Sequence, residues 1–436
     1  MKRVYLFGIL ALILGLLLVA CGGTAAPAEE VAPEEEVEVV PEESEEEVAE
    51  EEPAEDAAVE VLECTDEIGC VEVAPGDPIL LASSLVISGP NTELGLDSQH
   101  GVELALDFRG DLLGHELELQ AEDDGCSAEG GQTSATKIVS NPDVVAIIGT
   151  SCSGAGVPAA AIISQAGYAM VSPSNTAPAL TDPDQAWQPG YLRTAHNDQV
   201  QGRAMAEFAR NELGVTRAAA IHDGDPYTEG LATSFSDAFE ELGGEMVAFE
   251  AETPDATNVE PLLTTVAAAD PEFIFYPVFI PLGSLITNTA AQVGDLEGVY
   301  LAAADGIQSP SFLENTVDTS EGMYASGPDL SFSNTFYTEE FLPAYQEQFG
   351  TEPTAPFHAH AFDATNMVLN AIEQVAQVGD DGTLLIGRQA LRDALYATSG
   401  YEGVTGTLTC DEFGDCADPA ISVSQVQDGE FVRIWP

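Results

Sequence analysis

Two successive series of alternating strand-like and helix-like segments constrain the fold of this chain more than any other feature. Short apolar or alternating runs of the first series lie at residues 81–87, 117–121, 144–148, 169–172 and 191–194. Those of the second series lie at residues 218–222, 246–249, 273–276 and 299–303. Segments with helical spacing separate the runs, and this alternation predicts parallel sheets covered by helices. About 360 residues are too many for one compact core, so we predict an α/β fold with two doubly wound parallel-sheet lobes.

The order of the segments also predicts where the chain passes between the two lobes. Three more helical segments and a β-rich C-terminus follow the second series. We expect lobe 1 to contain residues 77–196 and 328–403, and lobe 2 to contain residues 197–327 and 404–436. The lobes would then be joined by a three-stranded hinge, with crossings near residues 196, 327 and 404.

The N-terminus has the pattern of an export signal. Lys2 and Arg3 precede an apolar run over residues 4–20, which ends at Leu18-Val19-Ala20-Cys21. This pattern resembles bacterial lipoprotein signals, so we predict a signal peptide over residues 1–20 and lipid attachment at Cys21. A transmembrane anchor is the alternative, but the run is shorter than the roughly 20 residues that a spanning helix needs. The prediction places the protein on the extracytoplasmic face of a membrane.

A strongly acidic segment follows, and the whole chain is acidic. Residues 29–60 contain 17 acidic and no basic residues, so we expect a disordered tether over residues 21–76. The full chain has 11 Lys and Arg against 75 Asp and Glu, for a formal net charge of −64. This balance excludes nucleic acid as a partner.

Six cysteines remain after Cys21, and an even number in an exported chain indicates disulfides. Local pairing of Cys64 with Cys70 and of Cys410 with Cys416 is the simplest interpretation, and it leaves Cys126 for Cys152. A zinc site is the rival interpretation of paired cysteines, but the spacing and the exported location disfavour it. We expect no metal and no cofactor.

Two hydroxyl-rich turns follow neighbouring predicted strands of the first series. Ser151-Cys152-Ser153-Gly154 follows the buried run at 144–148 and opens a helix, and Ser174-Asn175-Thr176 follows the next run. Ligands bind at the carboxyl ends of the strands in such folds, and a helix N-terminus accepts an anion without a cationic side chain. Ordinary helix capping is the alternative interpretation.

Tyr227 and Asp305 follow strands of the second series, where they would face the same cleft. The carboxylate of Asp305 suits a cation, so a site with both features and no Lys or Arg nearby is typical of a pocket for a small zwitterion. A helix cap at Asp305 and a packing role for Tyr227 remain alternatives. A hydrolase using Ser151 or Ser153 is a further alternative, but the G-x-S-x-G pattern is incomplete and no plausible base is apparent.

These motifs, taken in order, resemble a known family. Residues 77–436 are similar to the solute-binding lipoproteins of ABC importers with the type I periplasmic-binding-protein fold, in the leucine/isoleucine/valine-binding group. The segments that carry the resemblance are Ser88-Gly89-Pro90, Asp123 to Cys126, Gly149 to Ser153, Ser172 to Pro178, His222 to Tyr227 with Glu229-Gly230, and Asp305-Gly306. The family also has a disulfide at the positions of Cys126 and Cys152.

The resemblance implies a function and a role for each site residue. Ser153 and Thr176 would bind a ligand α-carboxylate, and Ser174 would offer its backbone carbonyl to the ammonium group. Asp305 would pair with that ammonium, Tyr227 would cover it, and Phe279 falls where the family has an aromatic residue in the second lobe. The implied function is capture of a small amino acid, of branched-chain type, for delivery to an ABC permease without catalysis. A binder of amides, urea or another small polar metabolite, or a ligand sensor on the same fold, remains the alternative.

Overall fold

The structure is a computed structural model that describes residues 62–332 and 334–436. The predicted signal peptide, Cys21 and the tether up to residue 61 lie outside the described residues. Among the helices in the described ranges, none is both long and apolar enough to cross a membrane.

The first series forms a five-stranded parallel sheet with the order β3-β2-β4-β5-β6. Its elements, with a short preceding strand, are β1 (Cys70–Val73), β2 (Ile79–Leu85), α1 (Thr92–Arg109), β3 (Leu117–Asp123), α2 (Ala128–Val139), β4 (Val144–Gly149), α3 (Ser153–Gln165), β5 (Met170–Ser172) and β6 (Tyr191–Arg193). The central strand β4 is buried at all six positions. Its continuous apolar sequence therefore reflects a strand that is covered on both faces.

The second series forms most of a seven-stranded sheet with the order β17-β16-β11-β10-β9-β7-β8. Its elements are α4 (Asp198–Glu207), β7 (Arg217–His222), α5 (Pro226–Glu241), β8 (Glu245–Ala251), α6 (Glu260–Ala268), β9 (Phe273–Phe275), α7 (Ile280–Ala290), β10 (Tyr300–Ala303), α8 (Pro310–Asn315) and β11 (Tyr324–Pro328). Strands β7 to β11 are parallel to one another. The parallel strands of both sheets confirm the predicted α/β fold class.

The remaining elements return to the first sheet and then complete the second. They are α9 (Leu342–Phe349), α10 (His358–Val375), β12 (Gln377–Val378), β13 (Leu384–Gly387), α11 (Arg388–Tyr396), β14 (Tyr401–Glu402), β15 (Thr407–Leu408), β16 (Ile421–Gln427) and β17 (Glu430–Trp435). Helix α10 packs beside α1 over the first sheet. Strands β16 and β17 add antiparallel strands to the edge of the second sheet at β11.

The third crossing lies later in the chain than the sequence suggested. Leu408 and Cys416 are buried in the same core as the first sheet, and the chain joins the second sheet only at Ile421. The crossing therefore follows Cys416, and the expected position near residue 404 is wrong. Burial of these two apolar side chains against the first core keeps residues 404–416 on that side.

The folded region also begins earlier than predicted. The tether was expected to extend to residue 76, but β1 pairs with β13 and buries Val71 and Val73. The carboxylate of Asp66 accepts hydrogen bonds from the backbone N–H groups of Gln389 and Ala390 at the start of α11. Residues 62–76 are therefore part of the folded domain.

All three predicted disulfides are present, namely Cys64–Cys70, Cys126–Cys152 and Cys410–Cys416. The second of them joins the turn after β3 to the turn after β4. It therefore supports the segment that leads into α3.

Candidate functional site

The six residues proposed from the sequence to bind ligand line one cavity. They are Ser153, Ser174, Thr176, Tyr227, Phe279 and Asp305. Each follows a strand of one of the two parallel sheets, so the cavity lies between the carboxyl ends of both sheets. The structure therefore brings together residues that are up to 152 positions apart in the sequence, from Ser153 to Asp305.

The first-sheet side of the cavity is formed by the N-terminus of α3 and the turn after β5. Ser153 is the first residue of α3, and its hydroxyl accepts a hydrogen bond from the Ala177 N–H at 3.2 Å. That bond ties the two turns together and leaves the hydroxyl proton of Ser153 for another acceptor. Cys152 and Ser153 at the start of α3 both line the cavity, so the positive end of the helix dipole lies at the cavity, and the N-cap Cys152 provides no side-chain cap. This side suits an anion.

Two neighbouring hydroxyls have structural roles instead. Ser151 Oγ accepts from the Val86 N–H at 3.0 Å, and Ser174 Oγ donates to the Ser151 carbonyl at 2.8 Å. The Ser151 N–H in turn donates to the buried carboxyl of Asp124 at 2.7 Å. These bonds fix both turns. Among the residues that line the cavity there is no histidine that could act as a base for Ser151 or Ser153, which disfavours the hydrolase alternative.

The opposite side of the cavity is acidic. Asp305 is only 4% exposed, and its Oδ1 accepts from Gln201 Nε2 at 2.6 Å. The Tyr227 hydroxyl lies 3.4 Å from the same oxygen and accepts from the Gly306 N–H at 3.2 Å. Burial raises the pKa of Asp305 above its ordinary value, so a cation beside it would stabilise the ionised form. The side chain of Asp305 is thus directed across the sheet rather than into a local helix cap.

A second buried carboxyl that the sequence did not single out lies near Asp305. Asp198 opens α4 and is completely buried, and neither of its carboxyl oxygens has a hydrogen-bond partner among the described residues. Burial, and then the nearby charge of Asp305, raises the pKa of Asp198 well above its usual range. No lysine or arginine is among the residues that line the cavity, so this region favours a positively charged guest group.

An apolar wall completes the cavity. Leu94, Phe279 and Phe357 line it, and the Phe279 ring lies 5.3 Å from the Tyr227 ring between centroids. Leu94 comes from α1 and Phe357 directly precedes α10. Phe357 was not predicted from the sequence, because its loop is remote from both strand series and carries no local motif.

Direct contacts close the cleft over this cavity. The Asp225 side chain lies directly against Gly154, and burial raises the pKa of its carboxyl to about 6. A Cβ atom at residue 154 would lie 1.9 Å from Asp225 Oδ2, so only glycine permits this approach. Glu93 Oε2 accepts from Ser311 Oγ at 2.8 Å at another point of the cleft. These contacts join elements of the two sheets and enclose the space between them.

The described residues contain no cluster of three or more His, Cys, Asp or Glu side chains that could hold a metal ion. The chemistry of the site is therefore carried by hydroxyls, backbone groups, carboxyls and apolar side chains. Such a site can hold a small molecule in a fixed orientation.

Comparison with known proteins agrees with this geometry. The family model described as periplasmic binding protein matches residues 78–430. The leucine-, isoleucine-, valine-, threonine- and alanine-binding protein of Pseudomonas aeruginosa is 26% identical over 345 residues, which cover 78% of this chain and 87% of the relative. The leucine-specific-binding protein of Salmonella typhimurium is 28% identical over 352 residues, which cover 78% of this chain and 89% of the relative.

A solved structure with the same architecture is the leucine-binding protein LivK of Thermotoga maritima. It is 26% identical, has a TM-score of 0.73, and the match covers 82% of this chain and 97% of that chain. The match to the family model extends over most of the chain, and membership implies an extracytoplasmic location. The chain belongs to the periplasmic binding protein family as a solute-binding protein, and it is not an enzyme.

Proposed function

We propose that this protein captures a small amino acid with a branched aliphatic side chain and delivers it to an ABC permease. One observation carries the proposal. A single cavity has a helix N-terminus with hydroxyls on one side, the buried carboxyl of Asp305 on the other, and an apolar wall between them. A zwitterion with an apolar side chain satisfies all three parts.

Each lining residue has a role in this proposal. Ser153 and Thr176 bind the α-carboxylate, and the Ser174 carbonyl accepts from the ammonium group. Asp305 neutralises the ammonium, and Tyr227 covers it. Phe279 packs against the ligand side chain together with Leu94 and Phe357, which line the same wall.

Closure is proposed to be a hinge motion of two lobes about the three chain crossings. The Gly154–Asp225 contact exists only when the cleft is shut, because its partners belong to elements of different sheets. Ligand binding and closure are therefore coupled in the proposal. The named relatives bind leucine and related amino acids, which supports the choice of ligand class.

A neutral ligand such as an amide or urea is the second candidate. It is favoured by the raised pKa of Asp305, since a protonated carboxyl would donate a hydrogen bond to a carbonyl oxygen. A thermal-shift screen with L-leucine, L-valine, acetamide and urea separates the two. Ligand at 100 times its dissociation constant stabilises a protein by about 2.7 kcal/mol, which is readily measured. We expect a shift with the two amino acids, whereas a shift with only the neutral compounds would contradict the proposal.

We further propose that the mature protein is held on the membrane through acyl chains on Cys21. The lipobox sequence before Cys21 and the acidic segment after it support this anchor. The variant Cys21→Ser should lose lipid modification and partition into the aqueous phase after detergent extraction. Lipid-modified protein from that variant would show that Cys21 is not the anchor.

A role as a ligand sensor uses the same binding site with a different partner. Permease and ATPase genes beside the coding gene would support transport, and a kinase gene would support sensing. The binding experiments apply equally to both roles.

A further inference from the structure

A completely buried arginine, Arg193, lies directly behind the second ligand-binding turn. Arg193 ends β6, its side chain is 0% exposed, and all five of its guanidinium N–H groups have acceptors. The acceptors are both carboxyl oxygens of Asp415, the carbonyls of Asn175 and Ala177, and the hydroxyl of Thr181. A guanidinium with every donor used is held in one position.

Two of those acceptors belong to the second ligand-binding turn. Arg193 Nη1 donates to the Asn175 carbonyl at 3.3 Å and to the Ala177 carbonyl at 2.8 Å. These carbonyls lie on either side of Thr176, which lines the cavity. The Ala177 N–H donates to Ser153 Oγ, so the guanidinium supports hydroxyls of both turns without contacting the cavity.

The position of the guanidinium depends on Asp415, which the Cys410–Cys416 loop provides. Asp415 Oδ2 accepts from Arg193 Nη2 at 3.0 Å, and Oδ1 accepts from Nε. The loop also pairs with β6 like an additional strand, since the Arg193 N–H donates to the Gly414 carbonyl at 2.9 Å and the Cys416 N–H donates to the Arg193 carbonyl at 3.2 Å. Residue 414 has φ +89°, and a Cβ there would lie 2.4 Å from the Tyr191 carbonyl oxygen, so glycine is required.

The same carboxylate reaches the first chain crossing. Asp415 Oδ2 accepts from Asn197 Nδ2 at 2.9 Å, and Asn197 is the N-cap of α4. Asp415 therefore bonds to Arg193 behind the ligand turns and to the segment where the chain passes to the second sheet. The neighbouring residue Cys416 is completely buried in the first core, so this end of the disulfide loop is fixed as well.

We propose that Asp415 is a positioning residue for ligand binding and that the Cys410–Cys416 loop is an external part of the binding site. Asp415 orients Arg193, Arg193 fixes the carbonyls of Asn175 and Ala177, and the turn then presents Thr176 to the ligand. The use of L-leucine as the test ligand rests on the proposed function, but the positioning role of Asp415 does not.

The test compares two disulfide loops of the same length. The Cys410–Cys416 and Cys64–Cys70 bonds both have a sequence separation of 6, and neither loop lines the cavity. The double variant Cys410→Ser/Cys416→Ser releases the proposed positioning loop. Cys64→Ser/Cys70→Ser is the matched control, and Asp415→Asn removes the charge alone.

Two measurements distinguish positioning from general stability. Calorimetry with L-leucine, well below the unfolding temperature, should show affinity reduced about tenfold or more in Asp415→Asn and in the 410/416 variant. Amide hydrogen exchange without ligand should become faster at residues 174–178 in both. The 64/70 control should lower the unfolding temperature and leave affinity and this exchange unchanged.

Unchanged affinity and unchanged exchange at residues 174–178 in the 410/416 variant would overturn the proposal, even if its unfolding temperature falls. If Asp415→Asn does not fold, the 410/416 variant alone decides. If the parent protein does not bind L-leucine, the proposed function fails, and the exchange measurement still decides the positioning role.

Discussion

Replacing Asp305 by asparagine isolates the charge that we propose holds the ligand ammonium group. The substitution keeps the shape of the side chain and one oxygen that can accept a hydrogen bond from Gln201. In the parent protein, Gln201 Nε2 lies 2.6 Å from Asp305 Oδ1. Gln201 Nε2 also contacts the carbonyl and hydroxyl of Ser326 at 3.2 and 3.1 Å, so the surrounding network has further partners. The fold should therefore lose little stability.

The loss of affinity should be large. Removing one partner of a desolvated charge pair costs about 2–5 kcal/mol, which corresponds to about 30-fold to about 5,000-fold in dissociation constant. Calorimetry with L-leucine on the parent and on Asp305→Asn measures this directly. The buried position of Asp305, at 4% exposure, is the reason that water cannot replace the lost interaction.

The control is another buried aspartate outside the cavity. Asp363 is completely buried and accepts from the backbone N–H groups of Val404 and Thr405. Asp363→Asn should lower the unfolding temperature and leave the affinity for L-leucine unchanged. If Asp305→Asn binds L-leucine as tightly as the parent does, the charge-pair reasoning is refuted.

Two further predictions concern closure and pH. Gly154→Ala should weaken ligand binding without unfolding the protein, because the added methyl group meets the Asp225 carboxylate across the cleft. Gly294→Ala is the control, since an added Cβ there meets nothing within 4 Å, and it should bind ligand normally in the same calorimetric assay. Burial raises the pKa of Asp124 from its ordinary 3.8 to about 7, so the stability that its neutral form contributes is complete below pH 3.8 and is lost as pH rises to 7. Chemical denaturation of Asp124→Asn should show a smaller fall in unfolding free energy between about pH 4 and about pH 7 than the parent shows, and an equal fall would contradict the assignment.

The parts of the fold that depend on local pattern could be predicted from the sequence. The alternation of apolar runs and helical spacing gave the two parallel sheets, since a buried strand such as Val144–Gly149 is apolar along its whole length. The turns after β4 and β5 were recognisable because they combine hydroxyls with a strand end and a helix start. Tyr227 and Asp305 were placed opposite these turns because each follows a strand of the second series, and the resemblance to a known family added Phe279.

The parts that depend on remote contacts could not be predicted. Strand β1 is short and follows an acidic segment, and only its pairing with β13, about 300 residues later, makes it a strand. The third crossing was misplaced because the burial of Cys416 in the first core has no local signature. Phe357 and Asp198 were missed as cavity neighbours for the same reason. A completely buried aspartate resembles an ordinary helix-start residue in the sequence.

The most direct test of the zwitterion site compares L-leucine with two analogues that each lack one charge. 3-Methylbutylamine lacks the carboxylate, and 4-methylpentanoate lacks the ammonium, while both keep the branched side chain. The account predicts that each analogue binds at least about 30-fold more weakly than L-leucine in calorimetry, because each leaves one side of the cavity without its partner. If 4-methylpentanoate binds as tightly as L-leucine, Asp305 does not hold an ammonium group and the central claim is contradicted.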